Sequence, residues 1–357
     1  MADRMISIKE TPNAFQVRGK ISGVKKQSFY KEGVSKNGGK WNSISFSVEF
    51  EPKKSVFIKL NGFPRKEVFY YKSSGQKGVK GETKRVAWEN RMKSPGDDYR
   101  LIGVNLGLTQ DAKGQNINKT YTEFDAVNAL RDMLEDGMDV FIKGNMEFRS
   151  YTNRNGDTAR SVELIPSQIS LCSKEIDFDD AAFEPMAAFE NTLVFESIEK
   201  EMDDANKDTG RFIVHGYSVG YASVEPVTFI IDKAHAKMAD SIKKRVHAFN
   251  SIKTFGVINV ENQVEVVEDD EDDAWGDARS VMEQRVFAPT IREYVIVKCD
   301  PNSLESENYD EDTVMEAIRK LQNSKNAETT FEAKEEAADT GDWGDDDVTD
   351  MDDSPWD

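Results

Sequence analysis

Cations and rings alternate along one stretch of the chain: Arg65, Lys66, Phe69, Tyr70, Tyr71, Lys72, Lys77, Lys80, Lys84, Arg85, Trp88, Arg91 and Lys93. Smaller groups of the same kind occur at Lys25, Lys26, Phe29, Tyr30 and Lys31, at Trp41, Phe57 and Lys59, and at Arg149, Tyr151 and Arg154. Rings of this sort stack on unpaired bases for roughly 1–3 kcal/mol each, whatever the base, and the cations neutralise phosphates. The chemistry expected is therefore capture of a single-stranded nucleic acid. DNA is the expected ligand, and RNA stays open because stacking and phosphate contacts do not read the 2′-hydroxyl. Each ring has a plainer use. Trp41 could pack beneath the lysine-rich stretch, and a one-residue slip would send Phe57 into a core. Tyr70 and Tyr71 are adjacent, so a strand would face only one of them to any groove. The lysines could be a solvated loop.

Other chemistries leave no trace. Three histidines and two distant cysteines, Cys172 and Cys299, make no metal-ligand spacing. There is no phosphate-binding Gly-x-x-x-x-Gly-Lys-Ser/Thr. The acid runs at 268–273 and 345–347 are consecutive, a poor arrangement for holding Mg²⁺ in fixed geometry. The expectation is a protein without cofactor, metal or catalytic site. Nor does any apolar run approach the roughly 20 residues that cross a bilayer, and the first residues have no long apolar segment of a secretory signal. The expected setting is the cytoplasm (a host's, if a phage encodes the chain), with no membrane partner.

Charge sharpens this. The 357 residues carry a formal −19, which taken alone argues against nucleic acid. Residues 1–174 hold 30 basic and 20 acidic residues, a net +10, while 175–357 hold 17 and 46, a net −29. Such asymmetry suggests a nucleic-acid surface joined to an acidic remainder.

The elements that must position these residues read mainly as strands. Phe15, Val17 and Ile21 alternate with polar neighbours. From Trp41 to Phe50, Ile44, Phe46, Val48 and Phe50 share one face and Trp41, Ser43, Ser45 and Ser47 the other; Ser55–Phe63 is a third strand. Residues 64–120 read as a long insertion with a hairpin of its own. Thr122 is the expected N-cap of a helix presenting Ala126, Leu130 and Leu134 and ended by Gly137. Strands at Asp139–Tyr151 and Ala159–Leu171 flank an Asn-Gly turn. The order β-β-β-α-β-β is that of the five-stranded OB-fold barrel, whose second and third strands and flanking loops meet the ligand.

The order then repeats without residue-level similarity. Strands are expected at 191–198, 211–219, 227–231, 246–260 and 291–299, with a helix at 232–245. The division expected is a basic barrel at 1–174, a linker at 175–187, a second barrel-like domain at 188–325 with an acidic insertion at 264–285, and a disordered acidic tail at 326–357. That tail has 13 acids against one Lys.

The last residues, Asp350-Met351-Asp352-Asp353-Ser354-Pro355-Trp356-Asp357, resemble the acidic tip of single-stranded DNA-binding proteins of bacteria and their phages, with Trp in place of the usual Phe and one further Asp. The stretch Asp139-Val140-Phe141-Ile142-Lys143-Gly144, then Phe148-Arg149-Ser150-Tyr151, is similar to that family's fourth strand. The resemblance implies an OB-fold that coats single-stranded DNA in phage replication, recombination and repair. It also implies that Asp352, Asp353, Pro355, Trp356 and Asp357 dock replication or recombination proteins. Acid-flanked Trp275 and Trp343 repeat the theme. A homo-oligomer is compatible with all of this. The competing function is an acidic interaction or nucleic-acid-mimic module that binds no DNA itself.

Overall fold

In the computed structural model, residues 8–320 are described except 36–37, 77, 153–157, 204, 222 and 263–289. The acidic insertion expected at 264–285 and the tail at 326–357 therefore lie outside the described residues. The fold is mainly β.

The first half holds β1 (Asn13–Ser22), β2 (Tyr30–Val34), β3 (Lys40–Glu51) and β4 (Lys54–Gly62). An insertion follows with β5 (Glu67–Lys72), β6 (Glu82–Ala87), β7 (Arg100–Leu101), β8 (Val104–Gln110) and β9 (Asn116–Tyr121). Then come α1 (Glu123–Met133), β10 (Asp139–Thr152) and β11 (Thr158–Leu171). Pairing closes a ring: β1 with β3, β3 with β4, β4 with β11 in parallel at Ile58/Leu164, β11 with β10, and β10 with β1. Alternation in β3 drives it, since Ile44, Phe46, Val48 and Phe50 are all buried. Helix α1 seals one end with Ala126, Val127 and Leu130.

The second half repeats the plan with β12 (Met186–Met202), β13 (Asp208–Val219), β14 (Val224–Ile231), α2 (Ala236–Arg245), β15 (Ser251–Asn262) and β16 (Thr290–Glu305). Here β12 pairs with β13, β13 with β14, β14 with β16 in parallel at Ile230/Val295, β16 with β15, and β15 with β12. Both halves thus have the strand order, helix position and closure expected of an OB barrel. A helix at 311–320, α3, packs Val314 and Ala317 against Ile8 and Val219.

The barrels are joined edge to edge. Strands β1 and β12, first in their respective barrels, pair antiparallel with Phe15 opposite Phe189. Each Phe also faces a glycine on its other side, Gly144 for Phe15 and Gly256 for Phe189. A Cβ on either glycine would fall within 2.7 Å of that phenyl ring and about on top of a backbone oxygen. The Phe–Gly pairs relate the two barrels by an approximate two-fold axis, an internal repeat that sequence comparison misses because nearly everything else has diverged. The flanking Asn13 and Asn191 hydrogen-bond each other across the junction, and Asn13 also donates to Ser218 Oγ at 2.7 Å.

Several expectations change. Strand β2 was not anticipated; five residues, one of them Gly33, carry little periodicity. Helix α1 stops at Met133, with Leu134 buried and Gly137 (φ +91°) in the turn beyond. Strand β15 begins at Ser251, because 246–250 form a turn around Phe249 (φ +66°). Strand β12 begins at Met186, inside the stretch assigned to a linker. The insertion holds two sheets' worth of strand: β6-β5-β7 stand apart, and β8 pairs with β11 to extend the first barrel.

Candidate nucleic-acid interface

On the outer face of the first barrel, Trp41, Ser43, Ser45 and Ser47 form one row of β3. Opposite them lie Gly33 and Lys31 on β2 and Asn61, Lys59 and Phe57 on β4. Small side chains make a shallow floor with a ring at each end. Six residues of strand separate Trp41 from the position facing Phe57, roughly 20 Å. Phe57 is 44 % exposed, so the register puts it outside. The Trp41 indole lies across Gly33, where an added Cβ would come within 3.0 Å of the ring. Lys59 Nζ meets Glu163 at 3.0 Å, and Arg149 meets both Glu163 (3.4 Å) and Glu147 (2.8 Å). Tyr151, exposed, follows Arg149 on the same face of β10. Arg154 lies outside the described residues, as do Asp352, Asp353, Pro355, Trp356 and Asp357.

Other candidates are placed differently. Phe29 is 6 % exposed and belongs to the barrel core. Tyr30 is half-buried: its hydroxyl donates to Glu32 at 2.8 Å, and the Arg131 guanidinium covers its ring at 4.9 Å. Lys25 and Lys26 are exposed in the turn before β2. Arg65 pairs with Glu123 at 3.3 Å at the start of α1, and Lys66 is exposed beside it.

The insertion sheet sorts its side chains by strand parity. Tyr70, 4 % exposed, packs with Val68 and Tyr99 and donates its hydroxyl to the Arg91 carbonyl at 2.7 Å. Lys72 and Lys84 share that face, over the Tyr99 ring at 5.8 and 4.4 Å. The opposite face presents Phe69 (38 % exposed) and Tyr71 (39 %), with Arg85 paired across from Phe69 and Arg100 across from Tyr71. Tyr70 is thus corrected to a core residue; Phe69 and Tyr71 are the rings that face outward, and Arg100 beside them was not among the expected groups. Val68 and Tyr70 alternate with Phe69 and Tyr71, a pattern that marks a strand without saying which side turns inward. Replacing Phe69 and Tyr71 together by alanine should weaken oligo-dT binding without moving the thermal midpoint. Tyr70→Phe should leave binding alone and cost about 1 kcal/mol of stability. A reversed pattern in paired titrations and melts would overturn this assignment.

Trp88 anchors the insertion to the barrel. Its ring meets Phe124 edge-on at 6.2 Å, with the Arg91 guanidinium 4.5 Å from it on the insertion side. Arg91 in turn grips Asp125 by two hydrogen bonds, 2.7 and 3.0 Å. Asp125 also closes the helix cap: its backbone N–H donates to Thr122 Oγ1 at 3.2 Å, and the Thr122 hydroxyl donates to its carboxylate at 2.8 Å. Burial alone would raise the Asp125 pKa, but the hydrogen bonds from Arg91 and Thr122 outweigh it and hold the carboxyl below the usual range. Because the folded value lies below the unfolded one of about 3.9, the contribution is complete above that pH and is lost as pH falls through the folded value. Wild type should therefore lose stability as pH falls below about 3.9, more steeply than Asp125→Asn. Parallel urea midpoints for the two proteins over that range would contradict it.

On the matching face of the second barrel, too, cations are paired with carboxylates. Arg211 is ringed by Glu201 (3.4 Å), Asp232 (3.2 Å) and Glu293 (2.7 Å), and His215 faces Glu199 at 3.0 Å.

A family model described as YorF matches residues 11–337. Among solved structures, a deletion mutant of the single-stranded DNA binding protein from Thermus aquaticus aligns with a TM-score of 0.37 at 9 % identity, over 82 % of this chain and 94 % of that one. The wild-type Thermus aquaticus protein gives 0.36 at 9 % identity, over 82 % and 93 %. The Plasmodium falciparum protein in complex with single-stranded DNA gives 0.17 at 10 % identity, over 46 % and 95 %. No curated protein matches the sequence. Among the described residues no helix is long and apolar enough to cross a membrane.

Proposed function

This chain belongs to the YorF family, and we propose that it is a non-catalytic single-stranded DNA-binding protein serving replication and recombination, in a phage setting. One observation carries the reading: the serine-floored outer face of the first barrel, with Trp41 and Phe57 at its ends and Lys31, Lys59 and Arg149 along it. Rings spaced along a basic track suit an unpaired strand, whose bases are free to stack, and suit a duplex poorly, because its bases already stack on each other. The +10 of residues 1–174 supplies the long-range attraction. The acidic tip around Trp356 is assigned to docking of replication or recombination proteins.

Titration of the full chain with labelled oligo-dT and with a duplex of equal length, across a salt series, tests the reading. The single strand should bind more tightly, and log K should fall linearly with log salt, by about 0.7 per phosphate neutralised. No binding at low salt would sink it and favour the acidic interaction module instead.

A further inference from the structure

Where the two barrels meet, a cleft of about 370 Å³ opens between the β10–β11 hairpin and the second barrel. Arg149 and Arg160 line it from the first barrel and Arg292 from the second, with Phe148 and Tyr294 between them. No carboxylate is among the described residues that line it. Arg149 is shared with Glu147 and Glu163, but Arg160 and Arg292 are exposed and form no ion pair among the described residues. Two unpaired guanidinium groups, Arg160 and Arg292, therefore line one cleft beside the paired Arg149, and a concave wall of this kind concentrates a positive field that suits an anion.

The walls are rigid. Phe148 meets Phe229 and Tyr294 edge-on at 6.1 and 6.4 Å, and Phe189 closes the cluster at 5.4 Å from Phe229. Burial pushes the Tyr294 hydroxyl up to about 12, against the pull of Arg292, so it stays a neutral wall at physiological pH. The cleft also continues the barrel face. Arg149 pairs across β10–β11 with Ser161, which lines the cleft too, and Glu163 on the same side of β11 holds Lys59.

We infer that this arginine cleft is a second phosphate-binding station for single-stranded DNA, carrying the strand from the first barrel's outer face across to the second barrel. The inference rests on the proposed DNA binding. It adds that a bound strand does not end at the first barrel, and that the acidic second barrel contributes Arg292 at its rim.

The test is Arg160→Ala/Arg292→Ala in the full chain, with labelled oligo-dT of about 8 and about 30 nucleotides, since one barrel engages roughly 4–16. Both residues are exposed, and an unchanged thermal midpoint confirms folding; Arg160→Gln/Arg292→Gln serves as a second variant. The 30-mer should lose affinity on the order of tenfold, and its salt slope should become shallower by about 1.4, two phosphates' worth. The 8-mer should bind as it does to wild type. Equal binding of the 30-mer by variant and wild type overturns the cleft while leaving the barrel face intact. Equal losses for both oligonucleotides also overturn it, because they mark a general charge effect. Tighter binding by the variant would mean that the cleft holds acids of the chain itself, and the inference falls. If wild type binds neither length, the parent function fails and the cleft with it.

Discussion

Replacing Trp41 and Phe57 together by alanine should cost about 2–6 kcal/mol of oligo-dT affinity, the loss of two stacked bases. That is at least about thirtyfold in Kd. Both rings lie on the outer side of strands whose inner residues, Ile44 to Phe50 and Val56 to Leu60, make the core. The fold should therefore survive. Phe57 contributes little to packing at 44 % exposure. Trp41 gives up its contact with the β2 backbone at Gly33, a strand that hangs on the barrel through β3. The salt slope should hardly change, because no cation is removed, and this separates stacking from phosphate contacts. Anisotropy titrations at two salt concentrations provide both readouts. Unaltered affinity would mean that the strand runs over a different face.

The second large effect is on stability. Phe189→Ala should lower the free energy of unfolding by about 3–5 kcal/mol, at the upper end for a core aromatic. The ring is 3 % exposed, sits 5.4 Å from Phe229 and 6.0 Å from Tyr294, and lies against Gly256, which leaves no side chain to fill the void. It also faces Phe15 across the junction, so both barrels feel the loss. A urea titration followed by far-ultraviolet dichroism would show a lower midpoint. A shift of under about 1 kcal/mol would show that the junction repacks, and the two-fold account of the Phe–Gly pairs would lose its energetic basis.

Much of this fold was legible in the sequence because the barrels are built from alternation. The row Ile44, Phe46, Val48 and Phe50 announces a half-buried strand, and Thr122 announces a helix start. What escaped was non-local. Strand β2 exists because β3 offers it an edge. The β1–β12 pairing joins residues some 174 apart and leaves no local mark. The site shows the same division. Trp41, Phe57, Lys59 and Arg149 followed from parity plus strand order. The insertion did not, because six apolar and charged residues from Glu67 to Lys72 read equally well in either parity. Only packing against Tyr99 decides that Tyr70 turns in and Tyr71 out. The arginine cleft was out of reach, since Arg160 and Arg292 meet only through the arrangement of two barrels.

The junction between β1 and β12 has a consequence for dilution. Two separate barrels held by one ladder of strand pairs would fall apart as their concentration dropped. Here residues 172–185 tether the partners, so each barrel sees the other at an effective concentration on the order of millimolar, however dilute the protein. Pairing becomes a first-order event within one molecule. It also occupies an edge of β1 that would otherwise invite other strands to add. A strand of DNA crossing both barrels would meet the same composite surface on a single copy at nanomolar concentration as on many copies in a crowded cell.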